Sequence, residues 1–387
     1  MKTRIKNTFN KLFKNKTLSS IFSTLVYSTL YVGYYLFRWF LKDKTKLNVV
    51  DARRHLGERS SKPKMDYKVT NKPIKKDLSI IVPAFNSEKT IKKCIESVIE
   101  QETVYDYELI VVNDGSTDNT RSIIEEYSDN RLLIVNQENR GFSGARNRGI
   151  DESSGKYIMF LDSDDYLVGN CIELMMNNII NNNADISQAS FLFDYENRSS
   201  TSEYILANQV LENDQRKMTS NPGYPWAKVF KRELFEKIRF PLDVWFEDTI
   251  VSILLYRMCK KMSVMSNIVY GYKINSEGIT QKARNSNKCI DHYWVMEHCL
   301  GKAKELNLPN DSLQYEIVKK HMSTLLYRRI GKMDRRTKES AFVLAADMLD
   351  GIRPKKYKCD GNRIERDLEI AFINRNYRLW KVASFLV

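Results

Sequence analysis

The feature that most constrains the fold is an apolar run followed by a polar cluster, which recurs four times between residues 78 and 165. An amphipathic segment separates each of these units from the next. Each apolar run has the length and composition of a strand buried on both faces of a sheet. Four such units in succession predict an α/β fold with a mostly parallel sheet, whose ligands bind beyond the carboxyl ends of its strands. The polar clusters stand at those ends, so we expect them to converge. The predicted strands are Leu78–Pro83, Tyr107–Val112, Leu132–Val135 and Tyr157–Leu161.

The last polar cluster is acidic. Asp162, Asp164 and Asp165 place three carboxylates within four residues, directly after a predicted buried strand. Like charges at this spacing are costly unless a cation or hydrogen-bond donors compensate them. Carboxylate oxygens suit Mg²⁺ or Mn²⁺, and Mg²⁺ sites often share ligands with phosphate. Solvated loops also produce such clusters, and Asp114 followed by Gly115 is a common turn, so the order of all the clusters is more specific than any one of them.

The net charge of +14 is concentrated near the N-terminus. Residues 1–78 hold 19 basic and 5 acidic residues, whereas the rest of the chain holds 43 of each sign. A nucleic-acid-binding domain more often carries its charge on the fold itself, so the neutral body argues against nucleic-acid binding. A basic leader beside an uncharged run instead predicts contact with an anionic membrane surface.

The uncharged run is Leu18–Phe37, whose 20 residues would form a helix about 30 Å long. Nine of them are Leu, Ile, Val or Phe, and the other eleven are Ser, Thr, Tyr or Gly. Basic residues flank both ends, so the positive-inside rule gives no orientation. We expect the segment to lie in the membrane interface; a single span and a helix packed on the protein or a partner are the alternatives. Residues 1–45 are therefore predicted to associate with a membrane, and residues 46–77 to form a solvated linker.

The cysteine pattern gives no metal motif. The six cysteines are scattered without a C-x-x-C pair, and the four histidines are far apart in the sequence. We therefore expect no zinc site and predict reduced, mostly structural thiols in a cytosolic compartment.

Together, the polar clusters resemble the nucleotide-binding half of the inverting family 2 glycosyltransferases, which have the GT-A fold. The resemblance implies a GT-A domain over residues 78–286, with a Rossmann-like mixed sheet flanked by helices. Phe85 replaces the tyrosine that is frequent at its position in the family. The segments that carry the resemblance are Ile81–Asn86, Val112–Asp118, Gly141–Asn147 and Phe160–Asp165.

The resemblance implies a nucleotide site at the ends of the first strands. On this mapping Pro83, Ala84 and Glu88 lie where the first strand meets the nucleoside. Asp114 matches the acid that binds the base, which is usually uracil. Arg146 belongs to the loop and helix that close on the nucleotide.

The acidic cluster matches the family's diphosphate and metal motif. Asp162 and Ser163 match positions at the diphosphate, and Asp164 with Asp162 matches the residues that hold Mn²⁺ or Mg²⁺. Asp165 is predicted to lie near the donor or acceptor sugar.

The second half continues the resemblance. Trp226 and Lys228 look like the Trp-x-Lys segment near the donor sugar and acceptor; a core position is the alternative for the tryptophan. Glu247 and Asp248 look like the Glu–Asp pair that supplies the catalytic base, with Asp248 as the base and Glu247 as its support. Residues 272–280 resemble a loop that closes on the site.

The resemblance implies an inverting, metal-dependent transfer of sugar from a UDP-sugar to a hydroxyl of a glycan or lipid-linked acceptor in bacterial cell-surface polysaccharide synthesis. The predicted location is the cytoplasmic face of the cell membrane, peripheral or single-pass. A Golgi-type lumenal enzyme with one span would also fit the leader, but the second half looks bacterial.

Two other functions stay open: a catalytically lapsed nucleotide-sugar-binding subunit, and a processive synthase. Synthases usually carry a Gln-x-x-Arg-Trp motif, whereas here Gln281 and Arg284 are followed by Asn285. Residues 287–387 predict a helical region for acceptor, partner or homo-oligomer contacts. Within it, Leu379–Phe385 predicts either a second membrane contact or a packed terminal helix.

Overall fold

The computed structural model describes residues 16–41, 44–64, 70, 72–195, 201–274 and 286–387. The described residues divide into two compact units. The α/β unit is drawn from residues 62–282 and 294–308, and the helical unit from residues 1–61, 283–293 and 309–387.

Helices and strands are numbered separately along the chain. The helices are α1 Lys16–Phe37, α2 Val49–Gly57, α3 Ile91–Ile99, α4 Thr120–Glu125, α5 Gly141–Glu152, α6 Cys171–Asn181, α7 Gln215–Met218, α8 Tyr256–Met258, α9 Asp291–Glu305, α10 Ser312–Lys320, α11 Leu326–Arg329, α12 Arg335–Ile352, α13 Arg363–Ile373 and α14 Tyr377–Leu386. The strands are β1 Lys76–Ala84, β2 Tyr107–Asp114, β3 Leu132–Gln137, β4 Gly155–Phe160, β5 Tyr166–Leu167, β6 Ile186–Tyr195, β7 Ser202–Tyr204, β8 Gln209–Glu212, β9 Lys228–Lys231 and β10 Lys261–Ile274. Single π-helical turns, Val251–Leu255 and His321–Leu325, precede α8 and α11.

The strands of the α/β unit form one mixed sheet in the order β3-β2-β1-β4-β9-β6-β10-β5, with β7 beside β6 and β8 beside β10. Strands β1 to β4 are mutually parallel, which confirms the four predicted strand–helix units. Strand β9 is antiparallel to both β4 and β6, and β10 runs parallel to β6. The chain leaves β1 for β2 and β3 and then returns to the other side of β1 with β4. Such a reversal opens a ligand crevice at the carboxyl ends of the central strands.

Buried aliphatic side chains fix the helices of this half against the sheet. On α3, Ile91, Cys94, Ile95 and Val98 are fully buried, as their helical spacing predicts. Helix α5 lies close to β1, because a Cβ atom on Gly149 would stand only 2.2 Å from Ile81 Cγ2. This close approach brings the first turns of α5 to the polar edge of the sheet.

The helical unit contains a helix where a linker was expected. Within residues 46–77, α2 is capped by Asn48, whose side-chain oxygen accepts a hydrogen bond of 2.8 Å from Asp51 N. Ala52 and Leu56, four residues apart, are fully buried, and α2 packs on α12. The many Lys and Arg residues of this stretch concealed so short an apolar pattern.

The region after residue 286 is helical, as the sequence pattern predicts. Residues 294–308 nevertheless group with the α/β unit, not with the helices that follow. In the terminal helix α14, Trp380 is fully buried and its indole N–H donates to the Met322 carbonyl at 3.3 Å. The inner face of α14 therefore fits a packed terminal helix.

The uncharged run of the leader forms α1. Within the part of the chain that the structure describes, no helix is both long enough and apolar enough to cross a membrane. The membrane association of residues 1–45 stays a prediction.

Candidate active site

The carboxyl end of β2 holds a buried acid that is only half satisfied. Asp114 is 2% exposed, and its Oδ1 accepts hydrogen bonds from Gln137 Nε2 at 2.6 Å and from Arg140 N at 2.8 Å. Its Oδ2 is buried without a hydrogen-bond partner. Burial raises the pKa of this carboxyl, while the Arg140 amide and Gln137 oppose the rise. An unpaired buried acceptor is costly, so this oxygen is suited to a ligand N–H.

The turn after Asp114 places it against the loop that follows β3. Gly115 has φ +72°, and a Cβ atom there would lie 2.8 Å from Asn139 N. A side chain at this position would therefore push the two loops apart.

The end of β1 lies beside the same turn. Pro83 and Ala84 are buried and pair in register with Val112 and Asn113 of β2. Glu88 follows in the next loop, where its Oε2 accepts hydrogen bonds from the backbone and side-chain amides of Asn119 at 3.1 and 3.0 Å.

A hydroxyl pair connects this loop with the acidic cluster. Ser87 Oγ and Ser163 Oγ lie 2.8 Å apart. The predicted nucleoside and diphosphate positions thus meet at one edge of the sheet.

The three aspartates of the acidic cluster have different surroundings. Asp165 is 2% exposed; its Oδ2 accepts from the Tyr270 hydroxyl at 2.6 Å and its Oδ1 from Lys273 N at 2.8 Å. Burial, then the neighbouring Asp164, raise the pKa of Asp165. Burial and Asp162 raise the pKa of Asp164 to about 6. Negative charge at Asp164 is therefore incompletely compensated.

Arg146 joins the acidic cluster to the Glu–Asp pair. It is 6% exposed on α5; Nη2 donates to Asp162 Oδ1 at 2.7 Å, and Nη1 donates to Glu247 Oε1. Burial opposes its positive charge, but Asp162 and Glu247 raise the pKa of the guanidinium. Burial raises the pKa of Glu247 to about 7; Arg146 counteracts the rise and Asp248 adds to it.

Backbone contacts hold the Glu–Asp segment in place. Asn147 exchanges two hydrogen bonds of 2.8 Å with the Phe240 backbone, one through each end of its side-chain amide. Phe246 has φ +67°, a left-handed conformation that is unusual for an aromatic residue. Directly after it, Glu247 is buried, whereas Asp248 is partly exposed at the start of a helical turn, where its carbonyl accepts from Val251 N at 2.9 Å.

Trp226 lies inside a stack of aromatic rings. Its ring centroid is 3.6 Å from that of Tyr224, 4.9 Å from that of Tyr270 and 5.1 Å from that of Tyr272, with the planes nearly parallel. The indole is 8% exposed. These contacts fit the core alternative for most of the ring.

Lys228 is fully buried below that stack. Its ammonium donates to the Tyr224 carbonyl at 2.7 Å and lies 4.2 Å from the centroid of the Tyr224 ring. Burial lowers the pKa of Lys228 well below its usual value, and the charge of Asp248 opposes that shift. The side chain is thus in electrostatic contact with Asp248 and has no surface for a sugar to touch.

The structure brings Arg146, Asp162 and Glu247 into direct contact, although their roles stay predictions. Sequence reasoning missed Tyr270 and Asn147, which hold Asp165 and Phe240. The Tyr270-Gly271-Tyr272 alternation was a usable signal, because Gly271 leaves room for the Tyr166 ring. A Cβ atom added at position 271 would lie 2.4 Å from that ring.

Of the proposed closing loop, residues 275–280 lie outside the described residues, as does the Gln281–Arg284 segment.

Among the residues that the structure describes, no three His, Cys, Asp or Glu side chains are grouped so as to hold a metal ion by themselves. Asp162 and Asp164 remain a pair of oxygen donors with excess negative charge. That pair suits Mg²⁺ or Mn²⁺ bound by one or two carboxylates together with phosphate oxygens.

Comparison with known proteins points to one family. The family model for "Glycosyl transferase family 2" matches residues 79–239. The UDP-Glc:alpha-D-GlcNAc-diphosphoundecaprenol beta-1,3-glucosyltransferase WfgD of Escherichia coli is 34% identical over 217 residues, which cover 54% of this chain and 80% of WfgD. Glycosyltransferase GlyA of Streptococcus pneumoniae is 32% identical over 219 residues, which cover 53% of this chain and 31% of GlyA. The chain spans less than two thirds of the length of the first curated relatives it matches.

A solved structure shares the fold. Staphylococcus aureus TarS in complex with UDP is similar with a TM-score of 0.61 at 19% identity, over 80% of this chain and 90% of that one. The mixed α/β sheet with its parallel first half is the fold of this GT-A neighbour.

Proposed function

Because the chain belongs to glycosyltransferase family 2, we propose that it transfers a hexosyl group from a UDP-sugar to a hydroxyl of a glycan or lipid-linked acceptor, with inversion at the anomeric carbon. The observation that carries this proposal is the buried Arg146, whose guanidinium joins Asp162 of the acidic cluster to Glu247 of the Glu–Asp pair. This contact between the segments predicted to hold the donor and the base supports one continuous site.

The donor's base would bind at the end of β2. The buried, unpartnered Oδ2 of Asp114 is placed to accept the N3–H of uracil, as Gln137 and Arg140 already occupy the other oxygen. TarS, a protein of the same fold, has been solved with UDP and with UDP-GlcNAc, which supports a uridine donor.

The diphosphate would lie over the acidic cluster. Asp164 and Asp162 are the residues that would hold Mn²⁺ or Mg²⁺. When bound, the cation would supply neutralisation of the negative charge that grows on the leaving diphosphate. Ser163 and the backbone of the same turn would contact the diphosphate, and the bonds of Asp165 to Tyr270 and Lys273 hold that turn.

Asp248 is the proposed base. It is the partly exposed member of the Glu–Asp pair, whereas Glu247 is buried against Arg146. The acceptor oxygen forms its bond to the anomeric carbon as the bond from that carbon to the diphosphate oxygen breaks. The hydroxyl proton passes to Asp248, and UDP leaves with the electron pair. Attack on the face opposite the diphosphate converts an α-linked donor into a β-glycoside.

The cellular role is a further part of the proposal. The predicted setting is bacterial cell-surface polysaccharide synthesis at the cytoplasmic face of the cell membrane. The name of WfgD describes a diphosphoundecaprenol-linked acceptor, which supports a lipid-linked acceptor class for its relatives.

The test begins with donor binding and hydrolysis across a panel of nucleotide sugars, in Mn²⁺, Mg²⁺ or EDTA. We expect metal-dependent turnover of one UDP-sugar; a folded protein that binds no nucleotide sugar would contradict the proposal. The Asp248→Asn variant should lose transfer and keep donor binding. Asp243→Asn is the matched control, since Asp243 is an exposed carboxylate five residues away with its own ion pair to Lys64 at 2.8 Å.

A further inference from the structure

Among the side chains of α1 that the structure describes, the hydroxyl of Tyr34 bonds to the protein, whereas several aliphatic side chains are exposed. On its inner side Tyr34 is 7% exposed, and its hydroxyl donates to Asp367 Oδ2 on α13 at 2.6 Å. Arg38, in the turn after α1, pairs with Asp367 Oδ1 at 2.8 Å. A helix packed on a protein core ordinarily does the reverse and buries its apolar stripe.

The outward side of α1 is a row of large apolar residues. Leu25, Val32 and Leu36 follow one another at intervals of seven and four residues, so they share one face of the helix. Their side chains are 58%, 54% and 60% exposed, and Phe40 in the following turn is 75% exposed. Exposed Ser28 and Thr29 lie between Leu25 and Val32 on this face. Large apolar side chains of this exposure on one helix face mark an interaction surface.

This row continues into a cleft against the terminal helix. An open cleft of about 330 Å³ separates α1 from α14. It is lined mostly by apolar side chains, among them Leu30, Leu41 and Val382. One turn beyond Val382, Phe385 is 50% exposed, and Lys381 is exposed on the same side of α14.

The excess of basic residues in the segments that form this surface favours an anionic occupant. Residues 1–42 contain eight Lys or Arg and no Asp or Glu, and residues 370–387 contain three basic residues and no acidic one. The carboxylate of Asp367, which lies against α1, already accepts from Tyr34 and pairs with Arg38. A second copy of the chain would meet this surface with the same positive charge, whereas an anionic bilayer attracts positive charge.

We propose that the outward side of α1 and the exposed side of α14 dock on an anionic lipid surface, with α1 lying in the plane of the interface. We name this the lipid-facing surface and define it by Leu25, Val32, Leu36, Phe40 and Phe385. The aliphatic side chains enter the acyl boundary, the cleft admits part of a lipid chain, and Lys381 contacts the headgroups. The Asp367 contacts keep the helix attached to the protein while its apolar side is in lipid.

This inference rests on the proposed function in one respect: docking would serve an enzyme whose lipid-linked acceptor is in a membrane. The docking itself involves no donor, metal or acceptor. It is therefore measured separately from catalysis.

The experiment is flotation of the full chain with vesicles of phosphatidylcholine alone or mixed with phosphatidylglycerol. We expect flotation that depends on phosphatidylglycerol and weakens with salt. The double variant Val32→Glu, Leu36→Glu should lower vesicle affinity at least tenfold. Lys381→Gln should weaken binding to the anionic vesicles more than to the neutral ones. The control is Val104→Glu, an equal change at an apolar side chain that is 87% exposed in the α/β unit, and it should float like the parent.

Each alternative has its own outcome. Equal flotation of the double variant and the parent, with unchanged helix content in both, would overturn the proposal. So would light scattering that shows a dimeric parent and a monomeric double variant, because the surface would then be an interface between copies. Binding of the UDP-sugar is measured on the same samples: its absence from the folded parent refutes the proposed function, and its retention in a non-floating variant supports docking as a separate property.

Discussion

The Tyr270 hydroxyl donates a 2.6 Å hydrogen bond to Asp165 Oδ2 across 105 residues of sequence. Both side chains are almost completely buried, so the bond is shielded from water. It attaches the turn that carries Asp162 and Asp164 to the long strand β10.

Replacement of Tyr270 by Phe should therefore disturb the acidic turn without altering the ring stack. Loss of one partner of a buried bond to a carboxylate costs about 1–3 kcal/mol. We expect a lower free energy of unfolding in urea and weaker donor binding. Tyr272→Phe makes the same chemical change on a neighbouring ring of the stack and should have a much smaller effect. Equal effects of the two substitutions would contradict a specific role for the Asp165 contact.

Arg146→Lys tests the bridge between Asp162 and Glu247. A lysine ammonium keeps the charge but cannot reproduce the two-sided guanidinium contact. Complete removal of one partner of a buried ion pair costs about 3–5 kcal/mol, so this substitution should cost a part of that. We expect a large loss of kcat with a measurable loss of stability. Arg148→Lys is the control, since Arg148 is half exposed and pairs with Glu152 within one helix. A variant at position 146 with parental kcat would refute the bridge as part of the site.

Asp114→Asn tests uracil recognition. The amide oxygen can still accept from Gln137 and Arg140. The amide NH2 group, however, is a donor and would stand opposite the N3–H of the base, which is also a donor. We expect UDP affinity in calorimetry to fall by about 10- to 100-fold, equivalent to about 1.4–2.8 kcal/mol. Asp106→Asn, at an exposed aspartate bonded to Lys76, should bind UDP like the parent. Unchanged affinity at position 114 would mean that the unpartnered oxygen does not contact the base.

Glu247 should make stability depend on pH in a defined direction. Its folded pKa of about 7 is above the ordinary value of 4.5, so between these values the folded state binds more protons than the unfolded state. Stability from this group is fully present below about pH 4.5 and falls as the pH rises to about 7, by roughly 3 kcal/mol at 1.36 kcal/mol per pKa unit.

The measurement is urea unfolding at several pH values in EDTA, for the parent and for Glu247→Gln. The difference between the two curves should slope over pH 4.5–7 and be flat outside it. Glu236→Gln, at an exposed residue, should reproduce the parent curve. A parent and Glu247→Gln pair with parallel curves would contradict the raised pKa.

The features that could be predicted from the sequence are those determined by residues close together along the chain. The strands β1 to β4 and the polar turns after them follow from apolar runs that end in Asn, Asp and Gly, so their convergence at one sheet edge was expected. The contact of Arg146 with Glu247 joins residues that are 101 positions apart in the sequence. No local pattern contains that information.

Two other differences have identifiable causes. The complete burial of Lys228, whose ammonium bonds to the Tyr224 carbonyl, was not expected, and its predicted place near a sugar stays a prediction. Helix α2 was missed because two buried residues, Ala52 and Leu56, suffice to attach it among many charged ones.

The two hydrogen bonds between the Asn147 side-chain amide and the Phe240 backbone hold together the ends of the segment 148–239. Chain added to an exposed turn inside that loop would cost little closure entropy, because this cost grows only with the logarithm of loop length. The positions of Arg146 before the loop and of Glu247 after it would be unaffected. Related chains can therefore gain or lose surface segments between these points, and diversify what they recognise, while the reacting groups keep their spacing.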